Sequence, residues 1–322
     1  MQKEWSFIFD EQIEFIEKVI HVFSYQFKHI RVYHDFCTSL KIKPEKIKRV
    51  EDIPPIPIDV FKKKNVLSDE FIPEITKYFQ SSGTGNQDRS KHFVPDLNLY
   101  YHSSWEWYSQ NYPNFPVYAY VPAYSDNQHS SLISMLDYFV NKTNGQFLPV
   151  TNEGLFKVDT SQPIILFGAA FGLLNATDSK TLTLHPKSIV IETGGMKTHR
   201  KEITRNELHL QLQERLGLDA NQIHSEYGMA ELLSQSYKMD EKQGFKSPCW
   251  KKISIRNPEN PLEIFPPNKK GQVAILDLAN IYSCSFILTE DEGILNNDGS
   301  FDILGRIENS ELRGCNFLFE RD

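Results

Sequence analysis

The stretch Ser188-Ile189-Val190-Ile191-Glu192-Thr193-Gly194-Gly195 is a short β-branched apolar run that ends in a hydroxyl and two glycines. A run of this kind, bounded by turn residues, reads as a strand buried on both faces, which is the habit of parallel sheets. Pro163-Ile164-Ile165-Leu166-Phe167-Gly168 upstream has the same character. Downstream, Thr204-Arg205-Asn206-Glu207 is a capping box, and it opens a helical run through Leu208, Leu212 and Leu216 that Gly217 stops. Strands alternating with helices imply an α/β fold with a mainly parallel sheet and packed helices. Ligands in such folds sit at the carboxyl ends of the strands. Glycine-bearing segments end strand-like runs at residues 81–85, 168–172 and 193–195, and they are expected to converge on one crevice.

Toward the N-terminus, Ile13, Ile16, Val19, Ile20 and Phe23 recur at helical spacing, which predicts an amphipathic helix packed on a larger body. Ile53-Pro54-Pro55-Ile56-Pro57-Ile58 must be extended, since each proline pushes its predecessor away from the α region. Aromatic residues crowd residues 100–124, among them Tyr100, Trp105, Tyr108, Tyr112, Tyr120 and Tyr124. They read as core and cleft wall, with a stacking surface for nucleic acid as the alternative. From Gly271 onward the pattern changes to strands at 273–278 and 284–288, a hairpin signal at Asn297-Asp298-Gly299 and a return at 301–304. The terminal section is therefore expected to be more antiparallel.

At 322 residues the chain suits one large α/β unit or two units sharing a cleft. Hydrophobic residues at 40% and charged residues at 24% are ordinary for a globular protein, and no run of about 18 apolar residues predicts a transmembrane segment. The first residues lack the basic and apolar regions of a signal peptide. A formal charge of −7, with basic residues scattered apart from runs at 41–49 and 62–64, argues against general nucleic-acid binding. Cys37, Cys249, Cys284 and Cys315 form no C-x-x-C pair, which fits a reducing cytoplasm better than a disulfide or zinc framework.

Several segments carry candidate chemistry. Residues 79–86, Phe-Gln-Ser-Ser-Gly-Thr-Gly-Asn, suit a polyphosphate, because glycines let successive N–H groups converge on anionic oxygens and the hydroxyls add donors; an ordinary surface turn has the same composition. Tyr227-Gly228-Met229-Ala230-Glu231 offers a ring to stack on a purine, a glycine for close approach and a carboxylate for Mg²⁺, or else a solvent-exposed helical turn at Glu231. Leu288-Thr289-Glu290-Asp291-Glu292-Gly293 reads as an acidic turn after a strand, and Gly305-Arg306 closes the next one. An aspartate accepts from ribose hydroxyls, and an arginine reaches ribose or phosphate oxygens. Cys315 follows Arg313, which favours a thiolate, but it equally suits a packed position in a terminal strand; Cys284 reads as core.

The order of these segments resembles the adenylate-forming superfamily of acyl and aryl ligases. The nearer likeness is to acyl-protein synthetases of the LuxE type, carried by Pro122-Ala123-Tyr124, His129-Ser130-Ser131-Leu132, Glu192-Thr193-Gly194-Gly195-Met196-Lys197, the run from Ser225 to Gln235, Asp277-Leu278-Ala279-Asn280 and the run from Leu304 to Cys315. The resemblance implies a fold like the N-terminal domain of adenylate-forming enzymes over residues 1–304, with a helical segment over about 1–50, then a hinge-like segment and short tail over 305–322. The mobile C-terminal domain that carries a catalytic lysine in larger members is expected to be absent or vestigial.

The activity so implied is ATP- and Mg²⁺-dependent conversion of a fatty or other carboxylic acid to an acyl-adenylate, then transfer to a thiol. That thiol is Cys315 or one on a partner: an acyl reductase, a carrier protein or coenzyme A. Ser81, Ser82, Gly83, Thr84 and Gly85 would wrap the β/γ-phosphates, with Lys91 as their basic partner. Gly194, Gly195 and Gly228 would flank adenine, Tyr227 would lie against it, and Glu231 would bind Mg²⁺. Asp291 would hold the ribose, and Arg306 the ribose or α-phosphate. The phosphate loop is one residue short of the family pattern, or shifted, at Thr84-Gly85, and Lys91, Lys197, Arg200 and Lys201 are the candidate substitutes for the lysine of that C-terminal domain. Tyr120, Tyr124, Gly168, Ala169, Phe171 and Gly172 are the expected acyl pocket, small residues there leaving room for a chain. Two other readings stay open: a catalytically impaired nucleotide- or acyl-binding subunit of a reductase complex, and an aryl-acid ligase related to phenylacetate-CoA ligase.

Overall fold

The computed structural model describes residues 4–72, 77–81, 89–122, 128–151, 153–178, 180–194 and 203–307. The chain forms two compact units, one of Met1–Ser103, Met229–Ser234 and Lys246–Asp322, the other of Ser104–Gly228 and Gln235–Phe245.

The second unit is built on a six-stranded sheet in the order Gln146–Phe147, Val117–Tyr120, Ile165–Ala169, Ile189–Thr193, Ile223–Tyr227, Ser236–Lys238. Neighbouring strands run parallel until the last, which is antiparallel. Every residue of Ile165–Ala169 is buried, as expected for a parallel strand covered on both faces. The predicted capping box is present at Thr204 and Glu207, the helix runs Arg205–Leu216, and Gly217 ends it in the left-handed conformation at φ 65°. Leu208, Leu212 and Leu216 are fully buried in one cluster with Leu166, Val190 and Ile223 from the strands beneath. The dense aromatics serve as core: Tyr108 stacks on Tyr112 at 5.0 Å, and Tyr112 meets Tyr237 edge-on at 5.2 Å.

In the first unit a short 3-10 helix, Ser6–Phe9, precedes the predicted helix, Phe15–His29, which is followed by Arg31–Ser39. Its main sheet has the order Ile56–Pro57, Phe286–Leu295, Gly271–Asp277, Lys251–Asn257, Asn260–Ile264, and Phe301–Arg306 pairs with Phe286–Leu295. The proline-rich segment is extended, as its prolines require, and lies parallel to Phe286–Leu295; the other pairings are antiparallel. Phe23, Tyr33 and Phe286 join helix to sheet, with Tyr33 stacked on Phe286 at 5.8 Å.

One expectation is corrected. Residues 289–293 do not form a turn but continue the strand Phe286–Leu295. Gln272 and Gly271 face Glu292 and Gly293 on one side, Arg306 and Gly305 face Asp291 and Glu292 on the other, and bulges accommodate the bend. Backbone pairing on both sides outweighs the local preference of acidic residues for a turn, and the side chains find cations instead: Lys270 lies 2.7 Å from Glu292. The hairpin turn comes where its signal predicts, with Gly299 at φ 82° between the two strands.

Leu212 is fully buried in the cluster that joins the helix to the parallel sheet. Leu212→Ala should therefore lower the unfolding free energy by about 3 kcal/mol in a urea titration. A loss under about 1 kcal/mol would mean that this helix face does not form the core.

Candidate functional site

In the first unit, Met229–Ser234 is gripped by polar side chains from distant segments. Asp277 is completely buried and accepts from the backbone N–H groups of Leu233 at 3.0 Å and Ser234 at 2.9 Å, and from the Ser234 hydroxyl at 2.6 Å. Lys251 Nζ donates to the Ser234 carbonyl at 2.8 Å, and Asn280 Nδ2 donates to the Glu231 carbonyl at 2.8 Å. His92 is also buried; burial pushes its imidazole down to about 4, against a hydrogen bond to Ala230, so it is neutral and Nδ1 donates to the Ala230 carbonyl at 2.8 Å.

This grip decides the state of Glu231. The side chain is 5% exposed and its carboxylate accepts from the Ser90 hydroxyl, so the solvent-exposed helical turn is ruled out. Burial raises its pKa above the ordinary value, while the Ser90 hydrogen bond and the charges of Lys62 and Arg306 pull it back down. Arg306 lies 3.7 Å from Asp291 and 3.5 Å from Glu290, and its partner strand places Asp291 directly opposite. Lys62 lies 2.6 Å from Asp59 and 3.7 Å from Glu290. The structure thus brings Glu231, Asp291 and Arg306 into one charged cluster. It adds Asp59, Lys62 and Glu290, which the motifs do not single out; the only advance sign of Lys62 is the short basic run at 62–64.

Among the described residues no group of three or more His, Cys, Asp or Glu side chains is arranged to hold a metal. The donor set still fits Mg²⁺ in the way that ion is held with nucleotides, by one or two carboxylates together with the phosphates. Lys91 is exposed on the strand Lys91–Phe93, with Nζ 5.4 Å from the centre of the Tyr78 ring. Ser81 accepts from the Ser90 N–H at 3.2 Å through its hydroxyl. Ser82, Gly83, Thr84, Gly85, Tyr124, Gly195, Lys197, Arg200, Lys201 and Cys315 lie outside the described residues.

In the second unit, Ala169 is opposite Thr193 and Glu192 is opposite Ser225, so Ala169, Thr193-Gly194 and Tyr227 end neighbouring strands at one edge of the parallel sheet. Gly194 sits at φ 107°, a conformation that side-chain-bearing residues rarely adopt. Thr193 donates to the Glu226 carboxylate, and a Cβ on Gly228 would stand 2.4 Å from Glu226 Oε1, so glycine at 228 is needed for that carboxylate to pack there. Tyr227 packs at 5.8 Å from Phe245, whose ring also lies 5.0 Å from the Arg205 guanidinium.

Behind this edge, buried Glu192 meets Arg205 at 3.3 Å and His209 at 3.4 Å, and His209 lies 3.1 Å from Ser225. Sequence reasoning reads Glu192 as a strand end and as the first residue of the Glu192–Lys197 motif; its partners come from a helix whose register on the sheet no local pattern reveals. Residues 168–172 are a strand-to-helix junction rather than an open turn. A Cβ on Gly168 would meet Leu173 at 2.7 Å and one on Gly172 would meet Pro122 at 3.0 Å. The space beside these glycines is already filled by the protein itself. Tyr120 is buried, with its hydroxyl 3.4 Å from the Thr151 carbonyl.

The chain matches the family model for the acyl-protein synthetase LuxE over residues 3–90 and 133–321. Among solved structures it is similar to 2-hydroxyisobutyryl-CoA ligase in an open conformation with 2-HIB-AMP and CoA, at 14% identity and TM-score 0.69, covering 92% of this chain and 69% of that one. The luciferase-like enzyme of the nonluminescent mealworm Zophobas morio has 16% identity and TM-score 0.52, with 74% and 59% covered. ATP-bound MatB from Rhodopseudomonas palustris has 13% identity and TM-score 0.52, with 72% and 48% covered. The chain thus spans less than two thirds of the length of the last two. No curated protein matches it by sequence. The chain belongs to the LuxE acyl-protein synthetase family, a family of ligases, and has the fold of adenylate-forming enzymes.

The raised pKa of Glu231 has a defined consequence. Its folded value lies above its ordinary value of 4.5, so protonation favours the folded state. That contribution is full below pH 4.5 and is lost as pH rises through the folded value. The stability of the wild type relative to Glu231→Gln should therefore shrink as unfolding is measured at successively higher pH. The opposite slope would mean that the fold favours the charged carboxylate.

Proposed function

We propose that this LuxE-family chain activates a carboxylic acid, in the first instance a fatty acid, with ATP and passes the acyl group to a thiol. The acid's carboxylate attacks the α-phosphorus, forming the acyl-adenylate as pyrophosphate leaves; a thiolate then attacks the acyl carbon, forming the thioester as AMP leaves. The observation that carries this reading is the cluster of Glu231, Asp291 and Arg306 in one unit, far apart in sequence and joined by ion pairs and by charge. An adenylation site needs a carboxylate for the Mg²⁺ of MgATP, a carboxylate for the ribose and a guanidinium for ribose or phosphate oxygens. In-line displacement at phosphorus asks little acid-base help, so fixed charges and positioning supply most of the rate.

Each further residue has a role in the same reading. Ser81 and residues 82–85 cradle the β/γ-phosphates with Lys91 as a basic neighbour. Tyr227, Gly194, Gly195 and Gly228 receive adenine, and the lack of a side chain at Gly194 and Gly228 suits the close approach of a flat base. Tyr120, Tyr124, Ala169 and Phe171 border the acid, with the Gly168 and Gly172 faces closed by Leu173 and Pro122. Cys315 is the first acyl acceptor, and an acyl reductase, a carrier protein or coenzyme A takes the group onward in the cytoplasm. Of the described cysteines, Cys37 and Cys284 are buried, and burial pushes their thiols up to about 12 and higher still, so neither suits the acceptor role.

With MgATP and a panel of acids, the protein should exchange labelled pyrophosphate into ATP only when an acid is present, and long aliphatic acids should outperform aromatic ones. Preference for aromatic acids would move the assignment to an aryl-acid ligase, and ATP binding without exchange would move it to a noncatalytic subunit. Intact-protein mass spectrometry after the same incubation should show a hydroxylamine-labile acyl adduct that Cys315→Ser lacks. Undiminished labelling of that variant removes Cys315 from the pathway.

A further inference from the structure

Lys62 occupies a place in the charged cluster that the family motifs do not assign. It lies on the short helix Val60–Lys63, and about a third of its side chain (34%) is exposed. Its ammonium group touches Asp59 at 2.6 Å and the Oε1 side of Glu290 at 3.7 Å. The other oxygen of Glu290 faces Arg306 at 3.5 Å, and Arg306 in turn faces Asp291 at 3.7 Å. A single carboxylate therefore spans two cations, Lys62 on one side and Arg306 on the other. Both cations also act on buried Glu231, lowering the pKa that burial raises.

If Asp291 and Arg306 hold the ribose and Glu231 holds the Mg²⁺ of the triphosphate, the phosphates run between those two points. Lys62 is in ionic contact with the residue next to Asp291, and its helix neighbour Phe61 packs edge-on at 5.8 Å against His92, which holds the Ala230 carbonyl beside Glu231. Among the described residues it is thus a lysine that borders both ends of that path. By contrast, the Lys91 ammonium group lies 5.4 Å from the Tyr78 ring centre, on an exposed strand position. An ammonium on a four-carbon stem has three rotatable donors, so it can keep Asp59 and still present a donor to an arriving anion. Glu290 divides its carboxylate between Lys62 and Arg306 and so does not occupy the ammonium group alone.

We propose that Lys62 binds the β/γ-phosphate end of ATP and supplies positive charge there. The inference rests on the nucleotide reading of Glu231, Asp291 and Arg306.

The test is calorimetric binding of ATP and of AMP, each with Mg²⁺, to the full chain and to Lys62→Met, Lys62→Gln, Lys62→Arg and Lys63→Gln, the last an exposed neighbour. The ratio of the two affinities isolates the phosphate end from the adenosine end. Loss of a charge-assisted contact should cut the ATP-over-AMP preference about tenfold in Lys62→Met and Lys62→Gln. AMP affinity should be unchanged in both, and the preference retained in Lys62→Arg and Lys63→Gln. Should Lys62→Met fail to show a melting transition, Lys62→Gln and Lys62→Arg give the same comparison. An unchanged ratio in the neutral variants, or equal losses for ATP and AMP, assigns Lys62 to a purely structural ion pair and overturns the proposal. A wild-type chain that binds neither nucleotide overturns the nucleotide site itself, a different result from wild-type binding with an insensitive Lys62.

Discussion

The Asp277 carboxylate, buried and wrapped by N–H and O–H donors, is the interaction on which the rest of the first unit's chemistry depends. It accepts from Leu233, Ser234 and Ala279 in a region where an unpaired charge would cost several kcal/mol. Lys251, itself buried, supplies the compensating charge and ties down the Ser234 carbonyl. Removing either would leave the other buried without its opposite charge. Ser234 adds to it: its hydroxyl lies 2.8 Å from that of Ser103 and 3.0 Å from the Trp250 indole N–H. What the carboxylate secures is the path of residues 229–234, and that path carries Glu231 out of water.

Once Glu231 is buried, long-range charge becomes effective. In water the fields of Lys62 and Arg306 would be screened; at a side chain 5% exposed they are felt. The same loss of water sets up competition between burial, which favours the neutral acid, and the cations, which favour the carboxylate. A bound metal and polyphosphate would change that balance, so the site is sensitive to the charge it is proposed to receive.

The second unit reaches its candidate function by another route. There the parallel sheet fixes the strand ends, and glycine is required where a backbone turns at Gly194 and where a carboxylate packs at Gly228. The buried Glu192 with Arg205 and His209 ties the capped helix to the strand that ends in Thr193. Helix position and strand-end geometry are coupled through that carboxylate, which is a constraint on shape more than a source of chemistry.

The sequence by itself determined the elements whose causes are local. The β-branched runs of 163–168 and 188–192, the capping box at Thr204 and Glu207, the stop at Gly217, the extended prolines and the hairpin at 297–299 are all present, because each depends on contacts within a few residues. The motifs also singled out Glu231, Asp291 and Arg306, but not the burial and the ion pairs around them. Local reasoning failed at 289–293, where acidic residues that favour a turn lie in a strand paired on both sides. It also failed at Gly168 and Gly172, where small residues left room for Leu173 and Pro122 rather than for a ligand. Only the tertiary structure decided that Glu231 is buried, that Asp277 anchors it, and that Asp59, Lys62 and Glu290 join Arg306. Electrostatic energy depends on distance and on the exclusion of water, and neither is carried by spacing along the chain.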